Sequence, residues 1–152
     1  MTNFRTIVIL LFLSIVITSC RHKPEPINYE LDLCAFCKMS ITDTQFGAEI
    51  VTKKGKVYKF DSMECMVNFL NVEENKEKEA KLILTVDYSL PKQLIDAQTA
   101  YYVHTDSIPS PMGANILSFE DKATAEKLIS KYTGELLTWE QVTKQILSNS
   151  EN

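Results

Sequence analysis

One apolar run at the N-terminus constrains most strongly what this chain can fold into. After Arg5, residues 7–13 are unbroken apolar residues, and a second stretch covers residues 15–17. This run is too short for a comfortable membrane span and has the length of the hydrophobic region of a secretory signal peptide. Because no other long apolar run follows in the sequence, we expect the rest of the chain to fold around a core of its own.

The apolar run ends on Ile17-Thr18-Ser19-Cys20. A branched aliphatic residue, two small residues and a cysteine are typical of a lipoprotein signal, in which the cysteine is linked to diacylglycerol before cleavage. The pattern predicts that residues 1–19 are removed and that Cys20 is the lipidated first residue of the mature protein. The protein would then lie in the cell envelope, facing the periplasm or the exterior. The alternative is a membrane anchor helix with an incidental cysteine.

The charge and size of the mature chain limit its partners. Removing Arg5 with the signal changes the formal net charge from −4 to −5. An acidic chain of this kind argues against nucleic acid as a partner. Residues 20–30 hold two prolines and mixed charges without an apolar pattern, which predicts a lipidated tether. The remainder has the size of one domain or two very small ones.

Residues 31–90 have the pattern of a first β-β-α-β unit. Asp61 and Ser62 are candidates for the N-cap of its helix. The apolar face of that helix would consist of Met63, Met66, Val67, Phe69 and Leu70. The other predicted elements are a hairpin of residues 46–52 and 57–60 around the turn 53–56, a charge-rich segment 71–81 and a strand at 82–88.

Residues 91–152 repeat this order. Glu120 and Asp121 open a second predicted helix, and Gly134 is expected to close it as a C-cap. The apolar face of this helix would be Ala123, Ala125, Leu128, Ile129 and Tyr132. The predicted strands are residues 100–105, 114–119 and 135–139, and a short helix follows at 140–147. The predicted fold class is therefore α+β, a tandem pair of small β-β-α-β units.

Sulfur side chains carry the chemistry of the first unit. Cys34, Cys37 and Met39 lie within six residues, and Cys65 follows in the predicted helix. Thiolates and thioethers are soft ligands that favour Cu(I). Zinc is the lesser metal hypothesis, because it more often recruits histidine and this chain has only two.

Other interpretations of these residues stay open. An oxidising compartment permits a Cys34–Cys37 disulfide, and the same pair could be a redox couple. Cys65 could be buried simply as a small apolar residue. We expect two further sets to be structural, with Met63 and Met66 in the core and His104 within a strand. Asp61 and Glu120 are expected to act as helix caps rather than as catalytic carboxylates.

Met112 supplies a sulfur from the second unit. It lies in Pro109-Ser110-Pro111-Met112-Gly113-Ala114, where prolines fix the backbone and the glycine permits unusual conformations. Rigid exposed loops are poor places for core methionines and good places for ligands. Met112 is therefore a fifth candidate ligand.

Several separated motifs in the same order resemble the NosL family of nitrous oxide reductase accessory lipoproteins. They are Cys34-x-x-Cys37-x-Met39, Phe60-Asp61 with Cys65, Ile95-Asp96-Ala97, Ala100-Tyr101-Tyr102-Val103, Pro111-Met112-Gly113-Ala114 and Ser118-Phe119. The similarity covers roughly residues 31–145. It differs from the more usual family pattern at Lys38, where a glycine is common, and at Leu94, where a tryptophan is common.

The resemblance implies a membrane-tethered Cu(I) chaperone rather than an enzyme. It also implies a client, nitrous oxide reductase, and a membrane transport complex as partners. The metal motifs of the family fall on Cys34, Cys37 and Met39 and on Met112-Gly113. Two alternatives are a thiol-disulfide oxidoreductase that uses Cys34 and Cys37, and a lipoprotein whose sulfurs only pack or crosslink. The enzyme is disfavoured because a thioredoxin-type pair normally opens a helix, whereas residues 38–43 lead into a hairpin.

Overall fold

The computed structural model describes residues 23–73 and 76–150, so the predicted signal peptide and Cys20 lie outside the described residues. The strands in these ranges are β1 (Ala48–Thr52), β2 (Val57–Phe60), β3 (Ala80–Val86), β4 (Leu94–Asp96), β5 (Tyr101–His104), β6 (Ile116–Phe119) and β7 (Glu135–Leu137). The helices are α1 (Met63–Val72), α2 (Lys76–Glu79), α3 (Lys122–Lys131) and α4 (Trp139–Ser150). Within the described ranges, no helix has both the length and the apolar character needed to cross a bilayer.

Two antiparallel sheets form the framework. The first has the strand order β2-β1-β3-β4 and the second the order β6-β5-β7. In the first sheet Ile50 of β1 lies between Tyr58 and Ile83, and in the second Val103 of β5 lies between Leu117 and Leu136. In each sheet, two strands form a hairpin and a third strand returns to the sheet after a helix. This arrangement confirms the α+β fold class and the repeated β-β-α-β order.

Strand β4 is an element that the sequence pattern did not reveal. It is three residues long, which is too short for an alternating pattern to stand out from a loop. It pairs with β3 through Leu84↔Asp96 and Thr85↔Ile95, so the first sheet extends as far as Asp96. Strand β3 itself begins two residues earlier than expected and ends two residues earlier.

At each of these helix N-termini, the second of the two adjacent residues that the sequence offered is the cap. Ser62 caps α1 by accepting from the Cys65 N–H, and Asp121 caps α3 by accepting from the Thr124 N–H. Asp61 and Glu120 precede these caps, so the prediction that they are caps is wrong. A cap side chain must reach the N2 or N3 amide, and only the residue directly before the helix does so here.

Gly134 does not cap α3, contrary to the prediction. The helix ends at Tyr132 in an extended conformation, with the Tyr132 N–H bonded to the Leu128 carbonyl. Gly134 instead passes close to β5, where a Cβ would lie 2.8 Å from the His104 carbonyl oxygen. The missing side chain therefore serves the close approach of two backbones rather than a left-handed turn.

The two units share one main core. Residues of both sheets and of helices α1 and α4 form one buried cluster, which includes Ile50, Phe60, Met66, Tyr102, Ile116, Val142 and Ile146. Helix α4 belongs to the second half of the sequence, yet it packs against α1 of the first. A smaller cluster lies under α3 and contains Phe46, Val103, Leu117, Phe119 and Ala125. The units are therefore fixed to each other by buried apolar surface.

Part of the predicted tether is packed on the first sheet. Glu49 alternates with Ala48 and Ile50 along β1 and so faces away from α1. The Glu25 N–H donates to Glu49 Oε1 over 3.1 Å. Ile27 lies where Gly47 lacks a side chain, 2.8 Å from the position of an added Cβ. Residues 25–29 of the predicted tether are thus packed on the domain, because the small residue at position 47 leaves a groove that this segment fills.

Glu49 predicts a pH-dependent stability. Burial is the main cause that raises its pKa to about 7, against the lowering effect of the Glu25 N–H. Below its ordinary pKa the carboxyl is neutral in folded and unfolded chains alike. Between that value and about 7 the unfolded chain ionises while the folded chain keeps a neutral buried carboxyl, so stability is lost across this pH range. We expect Glu49→Gln to match the parent at about pH 4.5 and to be more stable by about 2 kcal/mol at about pH 8.

Urea denaturation at both pH values measures this difference. Glu135→Gln is the matched control, because Glu135 is an exposed carboxylate and its replacement should change little at either pH. An equal effect of Glu49→Gln at both pH values would contradict the prediction.

Candidate metal centre

A tight loop before β1 presents the first two cysteines. The Cys34 N–H donates to the Met39 carbonyl over 2.8 Å, and the Lys38 N–H donates to the Cys34 carbonyl over 3.1 Å. Lys38 has a φ of 66°, in the left-handed region where the glycine that is more usual here would be unstrained. Its Nζ donates to the Ala35 carbonyl over 2.6 Å, which stabilises the turn. These bonds hold Cys34 and Cys37 on one side of the loop.

Helix α1 brings the third cysteine to this loop. Cys65 lies in its first turn, three residues after the Ser62 cap. The Sγ atoms of Cys34, Cys37 and Cys65 all lie within 4.8 Å of one another. All three cysteines are free of disulfide bonds, with Cys34 and Cys65 buried and Cys37 partly exposed. The cluster is therefore reached from solvent on the Cys37 side.

The three cysteines of the cluster differ in pKa. The Cys65 thiol donates to Cys34, and the backbone N–H groups of Asp61, Cys37 and Phe36 also point at that sulfur, which together lower the Cys34 pKa against the effect of burial. The pKa of Cys65 is raised, first because it donates to Cys34. Burial raises the pKa of Cys37. The resting cluster is thus one thiolate, at Cys34, held by two thiols and three amides.

Asp61 borders the cluster in a way that the sequence did not reveal. Its side chain is buried, and its Oδ1 has no hydrogen-bond partner among the described residues. Burial, and then the charge of Cys34, raise its pKa. The Phe60-Asp61 pair was visible as a motif. Its contact with Cys34 could not be seen, because it arises from the β2–α1 turn folding over a loop more than twenty residues away.

The two candidate methionines occupy different places. Met39 ends the cysteine loop and is 57% exposed. Met112 is 42% exposed and lines a cleft of about 200 Å³ together with Glu64, Asn68, Gly113, Ala114, Ile146 and Asn149. The structure therefore brings together the three cysteines, with Met39 in the adjoining loop. It places Met112 beside the residue that precedes Cys65, in a cleft whose lining includes none of the three thiols.

A buried hydrogen bond fastens the Met112 loop to α1. Ser110 Oγ donates to Glu64 Oε1. Ser110 Oγ also accepts a hydrogen bond from the Asn115 N–H over 2.9 Å. Gly113 has a φ of 82° and donates its N–H to the Ser110 carbonyl over 3.0 Å, so the glycine is required for the turn. Sequence reasoning missed Glu64, since a glutamate in a first helical turn ordinarily serves only the helix dipole.

The side chains expected to be structural have structural positions. Met63 and Met66 are almost fully buried in the main core. The Ser118 hydroxyl lies 3.9 Å from the Met63 sulfur. His104 belongs to β5 and lies 4.0 Å from Asp106. These predictions are confirmed. The Cys65 side chain is buried, as one interpretation required, and it also joins the thiol cluster, as the other required.

The cluster has the chemistry of a soft-metal site. Two metal–sulfur bonds of about 2.3 Å join sulfurs up to about 4.6 Å apart, so small movements of the three thiols would allow them to bind one ion. Within the described residues, the thiols are not joined by a histidine or carboxylate in this group. The loop before β1 and the start of α1 thus form a three-sulfur centre. The protein is an α+β binding module that carries this centre.

Comparison with known proteins gives the family. A family model described as NosL matches residues 28–147. The chain is 30% identical over 147 residues to the copper-binding lipoprotein NosL of Stutzerimonas stutzeri, and the match covers 88% of this chain and 77% of that protein. The chain belongs to the NosL family, which confirms the resemblance seen in its motifs.

A solved structure agrees with this assignment. The crystal structure of the copper chaperone NosL from Shewanella denitrificans matches with a TM-score of 0.67 and 29% identity, over 79% of this chain and 95% of that one. Both relatives are named for copper binding or copper chaperoning, and neither is named as an enzyme. The expectation of a binding module rather than an enzyme is confirmed.

Proposed function

We propose that this protein is a membrane-tethered Cu(I) chaperone of the cell envelope, with the thiols of Cys34, Cys37 and Cys65 as its principal ligands. The observation that carries the proposal is the approach of three thiol sulfurs to within 4.8 Å of one another. Soft sulfur donors select low-valent copper over hard cations. The names of its relatives support copper as the cargo.

The unequal charge of the cluster suits reversible binding. Cys34 offers a thiolate to an arriving ion, whereas Cys37 and Cys65 must each release a proton before they bind. Cys37 is the accessible member, so an incoming ligand from a client can replace it first. We propose the copper sites of nitrous oxide reductase as the destination and a membrane transport complex as a further partner.

Anaerobic Cu(I) titration of the reduced protein tests the proposal. We expect about one copper per chain, bound tightly enough to compete with a chromophoric Cu(I) chelator. X-ray absorption at the copper edge should show sulfur ligands. Absence of Cu(I) binding, together with rapid turnover of a disulfide substrate by Cys34 and Cys37, would replace the chaperone with a thiol-disulfide oxidoreductase.

Lipidation of Cys20 is the proposed means of membrane attachment. We expect Cys20→Ala to abolish lipid labelling and cleavage by the lipoprotein signal peptidase, because the thiol is the atom that accepts the lipid. Metabolic labelling with a fatty acid, followed by gel mobility, measures both. Continued labelling and processing of the variant would show that another residue is the acceptor.

Met112 is proposed as an additional sulfur ligand. Leucine keeps the apolar volume and removes only the sulfur, and such swaps usually cost less than about 1.5 kcal/mol of stability. We expect Met112→Leu to fold with near-native stability and to bind Cu(I) about tenfold more weakly, a loss of about 1.4 kcal/mol. Unchanged Cu(I) affinity in the folded variant would remove Met112 from the ligand set.

A further inference from the structure

Exposed apolar side chains are concentrated around the thiol cluster. Of the eight large hydrophobic residues that are exposed in the described ranges, four fall within residues 31–39. Leu31 is 81% exposed, Leu33 62% and Met39 57%, and Phe36 is exposed beside Cys37. A local density of this kind marks an interaction surface, because exposed apolar residues are normally scattered singly. We call Leu31, Leu33, Phe36 and Met39 the apolar rim.

The path of the N-terminal segment brings the apolar rim close to the predicted lipid. Cys20 is six residues before Pro26, so its Cα atom lies no more than about 22 Å from that of Pro26 even in a fully extended chain. The Pro26 carbonyl accepts from Lys59 Nζ over 2.8 Å, and the Lys59 carbonyl accepts the Ala35 N–H over 2.8 Å. Pro26 and the cysteine loop are thus both fastened to Lys59.

The charges beside the rim are compatible with a headgroup region. Asp32 is paired with Lys59 over 2.7 Å, which leaves Glu30 as the exposed acid within residues 30–39. Lys38 is exposed in the same loop. Arg21, His22 and Lys23 directly follow the predicted lipidated cysteine. Basic residues of this kind are attracted to anionic lipid at the membrane surface.

The shape of the rim favours a lipid surface over a folded protein. Leu31 and Phe36 lie in two consecutive turns, at residues 29–31 and 35–37, and Leu33 and Met39 lie on either side of the second turn. The Leu31 side chain is 81% exposed. Protruding aliphatic and aromatic side chains beside a lysine enter the boundary between headgroups and acyl chains readily. A stable protein interface would instead need a broad complementary area.

We propose that the apolar rim docks into the surface of the same bilayer that holds the Cys20 lipid, so that the thiol cluster faces the membrane. This inference rests on the proposed lipidation. The lipid supplies the anchoring, and the rim fixes the orientation of the domain. The cluster would then open toward membrane-embedded partners rather than toward soluble proteins at a distance.

Tryptophan quenching by brominated lipid tests the orientation. In a Trp139→Phe background, Leu33→Trp places a reporter in the rim. Val72→Trp is the matched control at the far end of α1, where Val72 is 67% exposed against 62% for Leu33. The lipidated mature protein is reconstituted in phosphatidylethanolamine–phosphatidylglycerol vesicles with and without bromine on the acyl chains. We expect Leu33→Trp emission to fall by about half and Val72→Trp emission to change by less than about a tenth.

Three results separate the possible failures. If the measured mass of the mature protein contains no acyl chains, the lipidation on which the inference rests is refuted. Weak Cu(I) binding would refute only the proposed chaperone function. Confirmed lipidation with equal, weak quenching at both positions would overturn the proposal that the apolar rim docks into the bilayer.

Hydrogen exchange in residues 31–39 of the unsubstituted protein covers the case in which a tryptophan variant misfolds. Protection of these residues is expected when the protein is bound to vesicles. Protection that appears only after the copper-receiving client is added would also overturn the inference.

Discussion

Replacing Cys34 with serine is expected to weaken Cu(I) binding by about 100-fold or more, a loss of about 2.7 kcal/mol. Cys34 is the member of the cluster whose pKa is lowered, so it alone offers a thiolate before the metal arrives. A serine hydroxyl is a hard donor and stays protonated. It can still accept from the amides of Asp61, Cys37 and Phe36, and so we expect the loop to keep its fold.

Competition titration against a chromophoric Cu(I) chelator measures the loss. Met66→Leu is the matched control, since it removes a fully buried sulfur that lies in the core and should leave Cu(I) affinity unchanged. Circular dichroism and urea denaturation show whether each variant folds. Parent-like affinity in both Cys34→Ser and Cys37→Ser would exclude the pair from the site and leave a structural or redox role for it.

The affinity for Cu(I) is expected to rise steeply with pH. The pKa values of Cys37 and Cys65 are raised, so both are thiols at neutral pH and each must lose a proton to bind metal. Cys34 is already ionised and contributes no proton. If all three sulfurs bind, affinity should increase by about 100-fold per pH unit near neutrality, with about two protons released per copper.

Two cysteine variants separate the contributions to this slope. Cys65→Ser removes one proton-releasing ligand and should reduce the slope to about tenfold per pH unit. Cys34→Ser lowers affinity but removes no ligand proton from the balance, so its slope should stay near that of the parent. Proton release into a weakly buffered solution with an indicator dye gives an independent count. Release of only about one proton per copper, or less, would show that Cys37 and Cys65 do not both bind.

The fold class could be predicted from the sequence because it depends on local patterns. Hairpin residues 57–60 and the first turn of α1 carry alternation and capping signals strong enough to read within a few residues. The errors came where one residue decides the outcome. Ser62 rather than Asp61 caps α1, and Gly134 serves a backbone contact rather than a helix end. The cap depends on the exact residue at which α1 begins, and the role of Gly134 depends on His104 of β5, which lies outside any local pattern around the glycine.

The candidate site was predicted only as a set of residue types. Soft-ligand chemistry was visible in Cys34, Cys37 and Met39, because they lie in one short segment. The contribution of Cys65 was left open between core and ligand, since a buried cysteine in a helix has the same sequence signature in either role. The fastening of the Met112 loop by Glu64 and Ser110 had no signal at all, because those residues are 46 positions apart.

The sequence by itself determined the order of elements, the sulfur content and, through Ile17-Thr18-Ser19-Cys20, the expectation of a lipid anchor. Tertiary structure alone decided which sulfurs meet and which of them is ionised. The reason is physical: periodicity and capping act within a few residues, whereas a thiol pKa depends on every donor and charge packed around the sulfur. Hydrogen bonds from the Cys65 thiol and the Asp61 amide lower the pKa of Cys34, and only the folded chain brings both donors to its sulfur.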